Sequence, residues 1–277
     1  MFTLNVRGKL MVFDKPVVMG IINATPDSLH AGQLGEGSDA MLRKAGAMLA
    51  AGASILDIGG QSTRPGSQRI SAAEETDRVI PVIEAVHRHF PEALISVDTY
   101  QSSVARAAID AGAGIINDIS AGRFDANMIP TVAQLGAPYI LMHMQGTPET
   151  MQQEPHYSDL LTEILDFFIQ QIEICRLAGI NDILVDPGFG FGKTATHNFL
   201  LLKNLNAFSI LQKPLLAGLS RKRTIYQTLG TDASGALNGT TVLNTLALLN
   251  SANILRVHDV REAVEAVTLI EAYNRAG

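Results

Sequence analysis

Eight polar residues each stand directly after, or within one or two positions of, a short apolar run. Three of them are aspartates, and the alternative that strand ends are polar only because loops begin there does not account for eight of eight. Buried carboxylates are costly unless something pairs with them, so the pattern predicts a ligand rich in N–H donors. The eight residues are Asn23, Asp57, Asp98, Asn117, His143, Asp186, Ser220 and Arg256.

Cationic residues form a second set in three separate segments of the chain. Arginine offers a fork that matches phosphate oxygens and lysine offers a point charge, so their convergence predicts an anion site. The alternative for any one Arg-Lys pair is a solvated surface. The set comprises Arg64 beside Thr63 in GGQSTRPG, Arg221 and Lys222 in GLSRKR, and Arg256 with His258 in RVHD.

The glycine-rich segment GFGFGKT at 188–194 resembles a phosphate loop but lacks its pattern, because Pro187 occupies the position of the first glycine. It also lacks the spacing and context of a dinucleotide fingerprint. We interpret it as a tight loop that lets the backbone approach a ligand, with Phe189 or Phe191 beside a flat ring. His143 has no second ligand at metal spacing, so a hydrogen-bonded structural histidine is favoured over a metal ligand.

Apolar runs that alternate with segments of helical period would position these residues. Eight such units favour a single (β/α)8 TIM barrel over a doubly wound sheet, and residues 3–13 predict an N-terminal β-hairpin around Arg7-Gly8. Chemistry in this fold lies at the carboxyl ends of the strands. The predicted strands are 17–22, 54–58, 94–97, 114–117, 139–142, 183–185, 214–218 and 254–257. The predicted helices are 39–51, 72–89, 102–111, 126–135, 158–177, 197–207, 237–250 and 260–273.

Composition limits the class of protein. The 277 residues match one barrel, so one domain is predicted over 1–277, with 47% hydrophobic residues indicating a sizeable core. A net charge of −6 argues against a nucleic-acid partner. The lone Cys175 predicts a buried thiol and a reducing compartment, and no segment is typical of a signal peptide or membrane span. A cytoplasmic protein without a membrane partner is therefore expected.

Seven ordered motifs resemble those of the dihydropteroate synthases, a pterin-binding family, from about residue 17 to the end of the chain. They are MGIINATPDS at 19–28, DIGGQSTRPG at 57–66, SVDT at 96–99, IND at 116–118, DPGFGF at 186–191, SRK at 220–222 and RVHD at 256–259. The resemblance implies a transferase of folate biosynthesis that condenses 6-hydroxymethyl-7,8-dihydropterin diphosphate with p-aminobenzoate, giving 7,8-dihydropteroate and diphosphate. It also implies a homodimer formed through the late helices, and residues 237–250 carry more leucine and valine than one core-facing stripe needs.

The resemblance also implies roles for individual residues. Asp98, Asn117, Asp186 and Lys222 would line the pterin pocket, and Arg256 would cover the ring. Arg256, His258 and Asn23 would hold the diphosphate, with Asn23 acting through a Mg2+ ion, which favours oxygen ligands and substrate phosphates. Thr63, Arg64 and Ser220 would serve the p-aminobenzoate side. The implied catalytic set is Asn23, Thr63, Arg64, Ser220 and Lys222, and Phe191 and Gly218 complete the substrate-binding set.

The first loop departs from the family pattern, because Leu29, His30 and Ala31 replace the usual aromatic residue and aspartate. Gln61 replaces the usual glutamate, and Arg223 stands where serine often follows the lysine. We hypothesise altered closure of the first loop. Two alternatives to an active synthase follow: the pterin-binding barrel of a folate-dependent methyltransferase, and a non-catalytic pterin-binding paralogue.

Overall fold

The protein is described by a computed structural model that covers residues 1–24, 36–62, 67–151 and 153–276. Leu29, His30 and Ala31 of the first loop, and Thr63 and Arg64 of the second, lie outside the described residues.

Ten strands are described, two in a hairpin and eight in a barrel. The hairpin pairs β1 and β2 antiparallel, with Arg7 and Gly8 both at positive φ in the turn, as the sequence predicts. Their bounds are β1 Phe2–Val6, β2 Lys9–Phe13, β3 Val17–Asn23, β4 Ile55–Gly59, β5 Leu94–Asp98, β6 Ile115–Asp118, β7 Tyr139–Met142, β8 Ile183–Asp186, β9 Leu216–Ala217 and β10 Ile254–Val257.

The eight barrel strands are parallel and hydrogen-bonded in the order β8-β7-β6-β5-β4-β3-β10-β9. The ring is completed at one point only, by an isolated bridge between Val185 and Leu215. A nearly closed (β/α)8 barrel with a separate N-terminal hairpin is therefore confirmed. The strand predicted over 214–218 is shorter than expected, since only Leu216–Ala217 forms a ladder.

Helices on the outside of the barrel follow the strands. Ser71 caps its helix by accepting from the N–H of Glu74, and Gly52 and Gly179 take the positive φ that is common after helices. The bounds are α1 Glu36–Ala50, α2 Ala72–His89, α3 Ser102–Ala111, α4 Met128–Leu135, α5 Leu160–Ala178, α6 Ala195–Lys203, α7 Arg223–Leu229, α8 Leu237–Leu249 and α9 Val260–Arg275, with short 3-10 helices at Leu205–Leu211 and Ser234–Ala236.

Two differences from the predicted helices concern the second half of the chain. Helix α7 begins directly after Lys222 and was not predicted, because its seven residues are too few to show a helical period. The helix predicted over 197–207 ends at Lys203, and a 3-10 segment continues the chain. The first of these differences matters for function, because α7 fixes the backbone that carries Lys222.

Three apolar clusters fill the fold. The largest lies between the sheet and the helices and contains the predicted buried thiol of Cys175. A second fills the lower barrel, where Leu4, Val6 and Phe13 of the hairpin pack against Met19, Ile55 and other inward strand residues. The hairpin therefore closes the amino-terminal end of the barrel. A third cluster, containing Tyr100 and Phe191, lies at the carboxyl end of the strands.

Candidate active site

A row of register partners crosses four neighbouring strands at the carboxyl end of the barrel. Asn23 pairs with Gly59, Gly59 with Asp98, and Asp98 with Asn117. Register partners point to the same face of a sheet, so the polar side chains of this row share the barrel interior. Gly59 leaves space in the row, because a Cβ there would lie 3.2 Å from the Cβ of Asp98.

Asp57 lies one layer deeper and joins this row to Arg256. Its Oδ2 accepts from Nδ2 of Asn117 at 3.0 Å and from Nε of Arg256 at 2.6 Å. A second guanidinium nitrogen of Arg256 donates to Oδ2 of Asp98 at 2.5 Å. Asp57 is fully buried, and its other oxygen, Oδ1, has no hydrogen-bond partner in the described structure. Arg256 thus bridges two carboxylates from two strands.

Burial and charge set the ionisation of this cluster. Burial raises the pKa of Asp98 to about 7; the charge of Arg256 opposes the shift, and nearby acids, Asp57 first, add to it. Burial alone would lower the pKa of the Arg256 guanidinium, but the charges of Asp57 and Asp98 outweigh burial, and the net pKa is raised. Arg256 therefore stays charged, and Asp98 changes its charge near neutral pH.

Asp186, which ends β8, and Lys222, which follows β9, lie at the same end of the barrel. Asp186 accepts from the N–H of Gly188 at 2.8 Å, and a Cβ at Gly218 would have only Asp186 Oδ2 within 4 Å, at 3.8 Å. Burial lowers the pKa of Lys222 to about 8, and the charge of Asp186 opposes that shift, with a further contribution from Arg256 that lowers it. Burial likewise raises the pKa of Asp186, opposed first by Lys222. The charges of Asp186, Lys222 and Arg256 therefore influence one another's ionisation, as expected of groups at the same end of the barrel.

The glycine-rich loop holds Lys222 in place. Lys222 donates to the carbonyl oxygen of Phe189, and its Nζ lies 4.3 Å from the centre of the Phe191 ring. The sequence alone does not distinguish Phe189 from Phe191 as the residue beside a flat ring. The structure separates them: the Phe189 side chain packs in the cluster between sheet and helices, whereas Phe191 lies at the barrel mouth. Only Phe191 is therefore available to flank a flat ring.

Lys193 supports this loop from beneath and was not singled out from the sequence. It is 2% exposed, and its Nζ donates to the carbonyls of Gly188 and Phe191 at 3.0 and 3.1 Å. Its Nζ also lies 3.0 Å from Nδ1 of His143. Burial, followed by the charges of Lys193 and Arg123, lowers the pKa of His143 to about 2, so its ring is neutral and accepts from lysine. The prediction of a hydrogen-bonded structural histidine is confirmed.

The cations at the rim divide into two groups. Oγ of Ser220 lies 3.0 Å from Nδ1 of His258 and accepts from the His258 backbone N–H. Arg221, by contrast, forms two bonds of 2.8 Å with Asp259 and donates to carbonyls at 233 and 234. The expectation that Arg221 joins the anion-binding cations is therefore wrong, because its donors brace the loop before helix α8.

His258 itself is neutral near pH 7. The residue as a whole is exposed, but burial of the ring among neighbouring atoms and then the charges of Arg256 and Lys44 lower its pKa to about 4. Lys44 comes from helix α1 and was not predicted from the sequence; it is half-buried, and burial lowers its pKa. Lysines on helices usually face solvent, so nothing in the sequence pattern indicated that Lys44 lies near His258.

The donor set near Asn23 is compatible with Mg2+ held mainly by substrate. Within 1–24, 36–62, 67–151 and 153–276, no three His, Cys, Asp or Glu side chains form a metal cluster. Magnesium keeps several waters and is commonly bound through one or two protein oxygens and substrate phosphates. The amide oxygen of Asn23 fits such a site, whereas a metal that needs a complete protein cage would not fit the described residues.

Comparison with known proteins agrees with this geometry. The family model described as "Pterin binding enzyme" matches residues 19–258. Dihydropteroate synthase of Escherichia coli (strain K12) is 44% identical over 268 residues, which cover 96% of this chain and 94% of the relative. That of Streptococcus pyogenes serotype M1 is 41% identical over 271 residues, with coverages of 95% and 97%.

Solved structures give the same result. Yersinia pestis dihydropteroate synthase, in complex with a sulfonamide drug, superposes with a TM-score of 0.93 at 43% identity and covers 99% of this chain and 100% of its own. The Xanthomonas albilineans enzyme in complex with 7,8-dihydropteroate has a TM-score of 0.89 at 38% identity, with coverages of 99% and 100%.

A nearly closed barrel with carboxylates, an amide and buried cations at its mouth defines a pterin-binding barrel enzyme. Sequence identities of 41–44% to dihydropteroate synthases along nearly the whole chain then identify the family within this class. The chain belongs to the dihydropteroate synthase family.

Proposed function

We propose that this chain is a transferase of folate biosynthesis that joins 6-hydroxymethyl-7,8-dihydropterin diphosphate to p-aminobenzoate, yielding 7,8-dihydropteroate and diphosphate. The observation that carries the proposal is the bonded cluster at the barrel mouth, in which Arg256 bridges Asp57 and Asp98 and Asn117 also donates to Asp57. Asp186 and Lys222 lie at the ends of strands at the same end of the barrel. The Xanthomonas albilineans relatives in complex with 4-aminobenzoic acid and with 7,8-dihydropteroate support the substrate classes.

The pterin would bind through its nitrogen-rich edge. Asp98 and Asp186 accept from ring amino and imino N–H groups, since charge-assisted hydrogen bonds are about twice as strong as neutral ones. Asn117 and Lys222 contact the remaining ring nitrogens and the carbonyl, and Phe191 flanks the ring. The existing bond between Arg256 and Asp98 must then be shared or exchanged, which would turn the guanidinium toward the ring face.

The reaction exchanges one bond for another. The bond between the pterin CH2 carbon and the diphosphate oxygen breaks with its electron pair, a C–N bond to the aniline nitrogen forms, and that nitrogen loses one proton. Arg256 and His258 would bind the departing diphosphate. Asn23 would be the residue that holds Mg2+, which would neutralise phosphate charge when bound. Thr63, Arg64, Ser220 and Gly218 would border the amine. We assign no general base, because an aniline nitrogen is already nucleophilic.

Diphosphate release tests this proposal. Purified protein is incubated with the pterin diphosphate and Mg2+, with and without p-aminobenzoate; amine-dependent release of diphosphate supports a synthase. Tight pterin binding without release would instead indicate a non-catalytic paralogue, and binding of a methylated folate without release would indicate a methyltransferase module.

A pair of lysine variants tests whether the activity depends on the groups at the barrel mouth. We expect Lys222→Met to lower kcat/KM about 10- to 100-fold, the range for losing charged hydrogen bonds. The matched variant Lys203→Met changes an exposed lysine in the last turn of α6 and leaves the rate unchanged. Equal rates in both variants would contradict the assigned site.

We also propose that two copies associate through helices α8 and α9. Of the predicted apolar residues of α8, Leu243 and Leu248 are buried in the barrel shell, whereas Val242, Leu246 and Leu249 are 40–51% exposed. Leu269 and Tyr273 of α9, each about 70% exposed, extend the same region. The family resemblance supports a second copy as the occupant. Sedimentation should give a dimer at micromolar concentration, and Leu246→Glu should give a monomer.

No helix in the described ranges is both long enough and apolar enough to cross a bilayer. A cytoplasmic location remains part of this proposal, and fractionation of cells that express the chain would test it.

A further inference from the structure

The side-chain amide of Asn198 joins the glycine-rich loop to the start of helix α7. Asn198 lies near the start of helix α6 and is 3% exposed. Its Oδ1 accepts from the backbone N–H of Gly190 at 2.8 Å. Its Nδ2 donates to Oγ1 of Thr224 at 3.0 Å. One buried amide therefore connects the loop after β8 with the first turn of the helix after β9.

The amide is held in one orientation by its own helix. Its Nδ2 also donates to the carbonyl oxygen of Thr194 at 2.9 Å. A backbone carbonyl only accepts and a backbone N–H only donates, so the contacts with Thr194 and Gly190 fix which end of the amide is the oxygen. The bond to Thr224, which is 6% exposed, follows from that orientation. Because hydrogen bonds between buried groups are costly to leave unmade, loss of this amide would loosen both segments that it joins.

The two joined segments lie on either side of Lys222. In the loop, the carbonyl of Phe189 accepts from the Lys222 ammonium, and the Phe191 ring centre lies 4.3 Å from its Nζ. A Cβ added at Gly190 would lie 3.2 Å from Cδ of Lys222. The backbone of Lys222 belongs to the other segment, since its carbonyl accepts from the N–H of Ile225 in α7 at 2.9 Å. The lysine thus starts from one segment and ends against the other.

We propose that Asn198 is a positioning residue that holds the glycine-rich loop against the start of α7 and so sets where the Lys222 ammonium group lies at the barrel mouth. This link is a property of the chain alone, whereas its effect on the pterin substrate rests on the proposed function. Lys193 holds the same loop through the carbonyls of Gly188 and Phe191 but has no bond to α7 among the described residues. Asn198 is therefore the residue that couples the loop to the backbone of Lys222.

Two pairs of variants test the link from its two sides. Asn198→Leu removes the amide, and its control, Asn206→Leu, makes the same change at an exposed residue of the 3-10 segment Leu205–Leu211. Thr224→Val removes the hydroxyl with little change of shape, and its control, Thr224→Ser, keeps the hydroxyl. All four substitutions are between uncharged residues, so none changes the number of charges around Lys222. The threonine pair keeps the test informative if Asn198→Leu does not fold.

The pKa of Lys222 gives a measurement that needs no activity. NMR titration of protein labelled with 13C at the lysine Cε follows it, and its resonance is the one absent from Lys222→Met. Burial lowers this pKa to about 8 in the parent chain. Loosening the loop would admit water to the ammonium group in place of the Phe189 carbonyl, which relieves desolvation and raises the pKa. We expect a rise of about 1 in Asn198→Leu and about 0.5 in Thr224→Val, with both controls unchanged.

The charged groups that act on this lysine come from several strands. They are Asp186 at the end of β8, Arg256 of β10 and Asp98 of β5, and the charge of Lys222 acts in turn on Lys193. These groups are present in every chain compared, so a change in the pKa reports a change in the position or hydration of Lys222. Equal pKa values in the parent chain, Asn198→Leu and Thr224→Val would overturn the inference.

Steady-state kinetics then show whether Asn198 acts through Lys222. We expect Asn198→Leu to lower kcat/KM for the pterin diphosphate about tenfold in the parent chain, and less than about twofold when Lys222→Met is already present. The second effect is small because the group that Asn198 positions is gone. An equal tenfold loss in both backgrounds would indicate a general structural effect and would also overturn the inference. Absence of amine-dependent diphosphate release from the parent chain would overturn only the proposed function, since the NMR titration stands without it.

Discussion

Replacing Arg256 with methionine would leave two buried carboxylates without their shared cation. The Asp57 side chain is fully buried and that of Asp98 is 9% exposed, so neither can be rehydrated without opening the barrel mouth. Breaking a buried ion pair by removing one partner typically costs about 3–5 kcal/mol, and Asp57 would retain only the bond from Asn117. We therefore expect Arg256→Met to lower the free energy of unfolding by about 3–5 kcal/mol at pH 8.

The cost should shrink in acid. The pKa of Asp98 in the folded protein, about 7, already lies above its reference value of 3.8, so folding takes up a proton between these limits. Stability from this group is therefore greatest at low pH and decreases as pH rises through 7. Because Arg256 lowers that pKa, its removal raises it further, so Asp98 is mostly charged in the parent chain but protonated in the variant at pH 8, and it is neutral in both at pH 5.5. The difference between variant and parent should therefore be smaller at pH 5.5 by about 1 kcal/mol.

Urea denaturation followed by circular dichroism at both pH values measures this difference. Arg221→Met is the matched control, since that arginine also forms two bonds to one aspartate but lies outside the cavity and its side chain is 28% exposed. We expect the control to cost about 1 kcal/mol at either pH. Equal, pH-independent costs for the two variants would refute the bridging role of Arg256.

Three further predictions follow from the geometry. Because the pKa of Asp98 is about 7 and its ionised form accepts from the pterin, KM for the pterin diphosphate should fall about tenfold between pH 6 and 8, whereas Asp98→Asn should give a flat profile in steady-state assays. Burial raises the pKa of Glu75 from 4.5 to about 7. Glu75→Gln should therefore raise the free energy of unfolding at pH 8, by at most about 3 kcal/mol, and leave it unchanged at pH 5. A gain at pH 5 in urea denaturation would contradict this. Gly188→Ala places a Cβ 1.9 Å from the His143 carbonyl oxygen at a residue of positive φ, so it should lower the free energy of unfolding by about 3 kcal/mol or more. Gly136→Ala, at positive φ but with no atom within 4 Å of the new Cβ, should lower it by about 1 kcal/mol. Equal losses of stability would rule out the close contact.

Patterns within short segments predicted most of the fold. Each barrel strand is a nearly continuous apolar run because both of its faces are buried, and such runs are visible without any partner. The strand at 214–218 was predicted too long, since only two of its residues form a ladder and its junction with β8 is a single bridge. Helix α7 was missed because seven residues do not establish a period.

The composition of the site was predictable, but its bonding was not. That Asp98 and Asn117 share one face follows from their positions at the ends of neighbouring strands. The bond from Arg256 to Asp57 joins residues 199 apart in sequence, and no local pattern indicates it. The prediction for Arg221 was wrong for the same reason. Arg221 is adjacent to Lys222 in sequence, but its side chain binds Asp259 in the loop after β10 instead of facing the site.

The burial of Lys193 could also not be predicted from the sequence. A lysine after a glycine-rich segment usually indicates a phosphate ligand or an exposed side chain. Here the loop folds around the ammonium group and supplies two carbonyl acceptors, and the neutral His143 supplies the third. Which of these outcomes occurs depends on the backbone path through Gly188 and Gly192, where added Cβ atoms would collide with carbonyl oxygens.

The hairpin Phe2–Val6 and Lys9–Phe13 has a kinetic consequence for turnover. With Leu4, Val6 and Phe13 filling the lower barrel, ligands can pass only through the upper opening. Under the proposed function, the bicyclic substrate binds groups that lie deeper than the rim, so we expect it to bind before the smaller amine. We expect diphosphate to leave by the same opening and the joined product to dissociate last. Product dissociation is therefore the step that we expect to limit the rate of this enzyme.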